Sequence, residues 1–511
     1  MSELAAELDF LRQLTAAGPG HGIELLLQSM EPESARLLRL CAIPHQFNVN
    51  VLRVLEPALD AEAAQAMYEE FSHLHVISIA AGFMALHDDA RRYLFNKWIG
   101  PPTEEEFAAA SARLAEFFAR RVEETDGELS AVVQRHWMFH LIGADQARGF
   151  DAFESLCQQF RRQFRLGDCE GLINLVHQYD RVLTPDQSLR LAYQEGVTAL
   201  RRCDWERAEK TFQSILSEKP QDPGLLARVY NRLGTIRVEN RNRFDAIKHF
   251  KEALRIASAL PRADQLVSRI YHDLGVAYRE RGEMSRAEEM LNKSADLAGR
   301  SNNLADIAMI HNSLGTLYHK AGKTRRAIES YDKCISYLTA GGETFQLSQV
   351  YNNLGLVYRG TGDWKKSEEF FRQSLEIKRQ TGDTLGQAKT LSNLVTVYEN
   401  SEQDGQAIKA SQEAIRLFGE LHDAYGMALV KRDLAHLYRR RDEKELAVQT
   451  LREAIKLLEE SGEFIQAENT RRSLDNIISG GGSTGWWVVP LILALSIFGL
   501  FILFIILISQ K

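Results

Sequence analysis

The sequence predicts a mainly α protein: a superhelical solenoid of stacked helix pairs, preceded by a small N-terminal domain and followed by one transmembrane helix. Three observations carry this. A Leu-Gly dipeptide and its companions recur with a 40-residue period, residues 486–508 hold no charge, and only 11 prolines fall in 511 residues. Scarce proline in Ala/Leu/Glu/Arg-rich sequence favours long helices. Hydrophobic residues at 45% and charged residues at 26% exclude a mostly disordered or collagen-like chain. The net charge of −7 (62 basic, 69 acidic) gives no global signature of a nucleic-acid binder. Five cysteines, with no CxxC pair, argue against a zinc ribbon or disulfide framework and suit a reducing compartment.

The period is read from Leu233-Gly234, Leu274-Gly275, Leu314-Gly315 and Leu354-Gly355, continued by Leu394-Val395 and Leu434-Ala435. The first spacing is 41 residues and the next four are 40. Twelve residues after each such position stands a small residue (Ala246, Ala287, Ala327, Ser367, Ala407, Ala447). Four further on stands a larger one (Phe250, Leu291, Tyr331, Phe371, Leu451), with Ser411 the exception. Three beyond that the residue is small again, as at Ala253, Ser294, Cys334, Ser374, Ala414 and Ala454. An earlier copy holds Gly196, Ala208, Phe212 and Pro220. Glycine and small residues fit where two antiparallel helices cross, because a bulkier Cβ substituent would push them apart. The aromatics are expected to fill the gap to the next pair, and copies to stack because one pair cannot bury its own apolar face.

This pattern over residues 187–460, about seven copies, resembles tetratricopeptide repeats, and its long period resembles those of kinesin light chains and cell-polarity regulators. Residues 461–479, with Phe464–Ile478, read as a capping helix. The resemblance implies that the first helix of each pair lines a concave groove. Its groove positions hold nine basic residues: Arg228, Arg269, Arg279, Lys320, Arg359, Lys389, Arg432, Arg439 and Arg440. Only Glu239, Glu280 and Glu399 oppose them, giving the face about +6 within an acidic chain. Asn231, Asn312, Asn352 and His272 occupy the central position. Amides can clamp a peptide backbone and arginines can grip carboxylates, so an acidic peptide or protein ligand is expected.

Residues 1–21 are acidic at the start and lack the apolar core of a signal peptide. In residues 22–100, Pro32–Ala42, Val49–Leu55 and Ala61–Leu74 suggest helices, His75–Ala80 and Phe83–His87 strands, and Asp88–Lys97 a further helix. This order resembles a winged-helix domain. The stretch MALHDDARRYLF and the helical arm at 102–186 resemble the region between the ATPase and the repeats of signal-transducing ATPases with numerous domains. The ATPase module is absent: no GxxxxGK[ST] occurs, and Gly322-Lys323-Thr324 falls in an inter-helix turn of a repeat. The recognition-helix candidate Asp60–Leu74 carries Asp60, Glu62, Glu69 and Glu70 without Lys or Arg, so no nucleic-acid partner is expected.

Residues 480–485 form a glycine-rich linker. Residues 486–508 would make a helix about 34 Å long, enough to cross a hydrocarbon layer of about 30 Å, with Trp486 and Trp487 as interfacial anchors. The chain thus resembles tail-anchored proteins, with its N-terminal bulk in the cytosol. His136 and His140 lie four apart but lack an acidic or cysteine ligand, so packing is expected and no metal. No catalytic constellation and no cofactor motif is found. The reading is a membrane-tethered, non-enzymatic adaptor. The alternatives are a signalling or defence-type sensor, with self-association and the span as output, and a membrane-tethered transcription regulator.

Overall fold

The computed structural model describes residues 19–479 apart from 126, 164, 302 and 343. Residues 1–18, the whole glycine-rich linker at 480–485 and the expected span at 486–508 lie outside them. Among the described residues, no helix is long and apolar enough to cross a membrane. The chain divides into two compact units, Met1–Ala263 and Asp264–Lys511.

The first unit opens with α1 (Pro19–Ser29), α2 (Pro32–Leu40), α3 (Val49–Leu55), α4 (Ala61–Ser72), β1 (Ile77–Ala80), β2 (Phe83–Leu86) and α5 (Asp88–Trp98). These fall where the turn chemistry of the sequence puts them. Asn48 and Asp60 cap α3 and α4 by accepting from the backbone N–H of Val51 and Ala63. Ala81 and Gly82, both at positive φ, make the two-residue turn that pairs Ala80 with Phe83 and Ile77 with Leu86. One element was not legible: Phe47 exchanges both backbone hydrogen bonds with Met84, adding an isolated antiparallel bridge to β2.

Four helices follow: α6 (Glu104–Glu124), α7 (Gly127–Ala144), α8 (Gln146–Arg162) and α9 (Leu166–Val176). One apolar core runs without a break from Ile23 to Leu191, so the hairpin-bearing segment and the four helices after it share an interior. Half-buried hydrogen bonds stitch them: Arg113 Nε donates to Val54 O at 2.9 Å and its Nη2 to Leu55 O at 2.6 Å. The unit ends in two helix pairs, α10 (Pro185–Arg201) with α11 (Trp205–Ser217) and α12 (Pro223–Glu239) with α13 (Arg243–Ala257).

The second unit continues the pattern: α14 (Asp264–Glu280) with α15 (Met284–Ser301), α16 (Leu304–Lys320) with α17 (Thr324–Ala340), α18 (Thr344–Thr361) with α19 (Trp364–Gln380), α20 (Thr384–Asn400) with α21 (Asp404–Glu420), and α22 (Ala424–Arg440) with α23 (Lys444–Glu460). Helix α24 (Phe464–Ile478) packs on α23 at the position expected of a cap. Within each pair a residue at positive φ stands seven residues after the glycine position, just past the end of the first helix: Cys203, Arg241, Gly282, Gly322, Gly362, Glu402 and Asp442. A left-handed residue just past a helix end lets the chain reverse direction. Gly322 is one of these, so Gly322-Lys323-Thr324 is a helix–helix turn and not a phosphate loop.

The crossing point explains the repeat. The small residues at 208, 246, 287, 327, 367, 407 and 447 are all 0% exposed. A Cβ added at Gly315 would lie 2.6 Å from Tyr331, at Gly355 2.7 Å from Phe371, and at Gly275 2.7 Å from Leu291. The larger residue therefore sits on the glycine of its own pair, which corrects the expectation that it reaches the next pair. The hydroxyls of Tyr318 and Tyr398 instead reach back to Glu288 and Glu368 of the preceding pair. The same contact accounts for Ser411: it stands opposite Val395, so the bulk has moved from one helix to the other, and both are buried.

Candidate functional site

The first helix of each pair supplies the candidate face. In the first unit, Arg228 lies 3.5 Å from Asp222 and 5.6 Å from the Tyr193 ring centre, while Asn231 is buried within its helix pair.

In the second unit the central positions do not stand free. They form a ladder across neighbouring first helices. His272 Nε2 lies 2.8 Å from Ser313 Oγ. Asn353 Nδ2 donates to Asn312 Oδ1 at 3.0 Å, and Asn393 Nδ2 to Asn352 Oδ1 at 3.3 Å. Each rung joins residues 41 apart, one repeat plus one residue. The ladder fixes the angle between successive pairs and spends the amide oxygens of Asn312 and Asn352 on that task, leaving their Nδ2 groups for other acceptors.

Most of the cations are also held. Arg269 pairs with Asp306 (3.3 Å), Arg279 with Glu280 (3.1 Å), Lys320 with Glu280 (3.0 Å) and Arg432 with Asp433 (3.0 Å). Arg440 pairs with Asp404 and donates to Glu399 O. Arg359 Nη1 donates to Asn393 Oδ1 at 3.1 Å, and burial lowers its pKa. Burial, helped by the Asp433 charge, pushes the Glu399 carboxyl up to about 6. Lys389 and Arg439 differ: both are exposed, and neither is among the ion-paired cations of the described residues. The face is thus less cationic than its helical positions alone imply, because Asp222, Asp306, Asp404 and Asp433 sit beside those positions. The 41-residue spacing of polar side chains was the available signal for the ladder.

His136 and His140 pack as expected, stacking on Phe118 with ring centres 5.2 and 5.5 Å apart. Among the described residues no group of three or more His, Cys, Asp or Glu is placed to hold a metal.

Residues 225–300 and 306–380 match the tetratricopeptide repeat family. These segments are tetratricopeptide repeats. Solved structures also align with the chain. A signal transduction ATPase with numerous domains that carries a tetratricopeptide repeat sensor, from Pyrococcus horikoshii, aligns over 89% of this chain and 67% of its own, with 13% identity and a TM-score of 0.60. A Rap protein complexed with competence and sporulation factor aligns over 65% of this chain and 98% of its own (13% identity, TM-score 0.46). The quorum sensor NprR from B. thuringiensis aligns over 65% and 99% (13% identity, TM-score 0.45). No curated protein matches the sequence.

Proposed function

We propose that the chain is a non-catalytic adaptor whose tetratricopeptide repeats capture an acidic peptide segment of a protein partner, and that residues 486–508 moor it to a membrane with its bulk in the cytosol. The observation that carries the binding half is the contrast between Lys389 and Arg439, which are exposed, and the neighbouring arginines already tied to carboxylates. A paired arginine gives up a partner before it grips a ligand; an exposed, unpaired cation gives up only water. The apolar, charge-free stretch supports the mooring half, since confinement to a surface raises the effective concentration of partners on that membrane.

The test uses a fluorescent Glu/Asp-rich peptide of a dozen residues. Lys389→Glu with Arg439→Glu should weaken it by roughly tenfold to thirtyfold, at about 1 kcal/mol per exposed charge, and flatten the salt dependence of what remains. Arg279→Glu is a poor probe because this side chain is 14% exposed and paired. Equal affinity for the wild type and the double variant would end the peptide reading. For the anchor, the full chain should sediment with vesicles and a chain ending at residue 479 should not; a wholly soluble full chain would end that half alone.

A second reading, a sensor with self-association as output, draws on the fold likeness to an ATPase whose repeats serve as a sensor. Peptide-induced oligomerisation of the full chain, lost on removal of residues 480–511, would favour it. The transcription-regulator reading has little to stand on, because α4 presents acidic residues and no Lys or Arg.

A further inference from the structure

A cleft of about 530 Å³ opens in the first unit, lined by residues of α5, of the loop before α3, and of α9 and the segment after it. Arg91 lines it and is only 9% exposed. Its three hydrogen-bond acceptors are all neutral: Nε donates to Pro44 O (3.3 Å), Nη2 to Ile43 O (3.4 Å) and Nη1 to Gln178 Oε1 (2.9 Å). A guanidinium has five N–H groups, so two are left over. Burial draws its pKa down to about 10, as expected of a cation that lost water without gaining a full counter-charge.

The neighbouring groups extend the pattern. Because Gln178 Oε1 accepts from Arg91, its Nε2 faces His45 Nε2 at 3.0 Å and donates to it. The His45 proton then sits on Nδ1, a buried N–H with no hydrogen-bond partner among the described residues. Arg92 and Arg181 are exposed and line the same cleft. His177 lies between Asp180 (3.0 Å) and Glu195 (2.7 Å), and Asp88 and Asp180 are the two carboxylates among the lining residues.

We propose that this cleft binds a small phosphorylated molecule, its phosphoryl group taken by the spare N–H groups of Arg91 and His45, with Arg92 and Arg181 at the mouth. Three arginines and His177 against Asp88 and Asp180 leave the lining with a cationic excess, which suits a multiply charged, many-oxygened anion better than a single carboxylate. The volume leaves room for an uncharged remainder beyond the phosphoryl group.

Inorganic pyrophosphate is the probe, titrated calorimetrically into the full chain in detergent, with citrate at equal charge and sodium chloride at equal ionic strength alongside. Saturable one-site binding of pyrophosphate is expected, at least tenfold tighter than citrate. Arg92→Glu with Arg181→Glu, both at exposed positions, should raise the dissociation constant tenfold or more with circular dichroism unchanged. Lys389→Glu with Arg439→Glu should leave it alone, which separates this site from the repeat face. No saturable heat, equal citrate binding, an unaffected Arg92/Arg181 variant, or loss only in the Lys389/Arg439 variant would each overturn the assignment.

Discussion

Gly355→Val is expected to open the α18–α19 pair. The new Cβ would fall 2.7 Å from the Phe371 ring, which is 0% exposed and has nowhere to go. Overpacking of this kind costs typically 1–3 kcal/mol, and two further methyl carbons place it at the upper end. Phe371→Ser alone should cost as much or more, by emptying the space the ring fills and leaving a buried hydroxyl in a cavity. Combined, the two should do much less harm than their sum. The protein carries that combination already: forty residues on, Val395 faces Ser411 with both buried. The reciprocal pair, Val395→Gly with Ser411→Phe, should likewise be tolerated when each single change is not. Coupling of 1–3 kcal/mol is the expected size for residues in direct contact. A repeat array does not unfold as one unit, so hydrogen exchange over residues 344–380 is the suitable measurement. Additive single effects would show that the two positions do not share one steric slot.

That exchange of bulk marks the boundary of what could be read in advance. Residue size at a helix crossing is a local property, repeated seven times, so the period, the helix pairs and the turns stood out in the sequence. The partner of each glycine did not, because a 16-residue offset fits contact within a pair as well as contact with the next one. Charge was misjudged for a related reason. Arg269, Lys320 and Arg440 occupy groove positions, but their pairing with Asp306, Glu280 and Asp404 crosses from one repeat to another. A count along one helical face omits such neighbours. The cleft around Arg91 was hidden altogether. His45, Arg91 and Gln178 are 133 residues apart end to end, with no motif joining them, and only the apolar core shared by the hairpin-bearing segment and the helices after it brings them together.

Acidification should loosen the first unit through the histidines of that shared core. Burial, with Arg91 and Arg135 nearby, draws His136 down to about 4. Burial also holds His140 and His45 well below the ordinary value, with Arg91 and the other histidines adding to it. Both ring nitrogens of His140 are buried without a hydrogen-bond partner among the described residues, so nothing there welcomes a second proton. A depressed histidine favours the folded state above its unfolded pKa of about 6.5 and withdraws that support as pH falls below it. Between pH 7 and pH 5 the loss for His136 is about 2 kcal/mol, since the unfolded chain takes up the proton and the folded one does not. His177 acts in the opposite sense. Glu195 and Asp180 raise it to about 9, so its support is complete below pH 6.5 and is lost only as pH rises through 9. It cannot offset the loss on the acid side. Amide exchange in α6 and α7 should therefore accelerate between pH 7 and 5, after correction for the intrinsic rate. His140→Phe, an aromatic replacement already stacked on Phe118, should blunt the pH dependence without lowering stability at pH 7. An unchanged pH profile in that variant would assign the acid response to other groups, and a large loss at pH 7 would mean that the imidazole holds a partner after all.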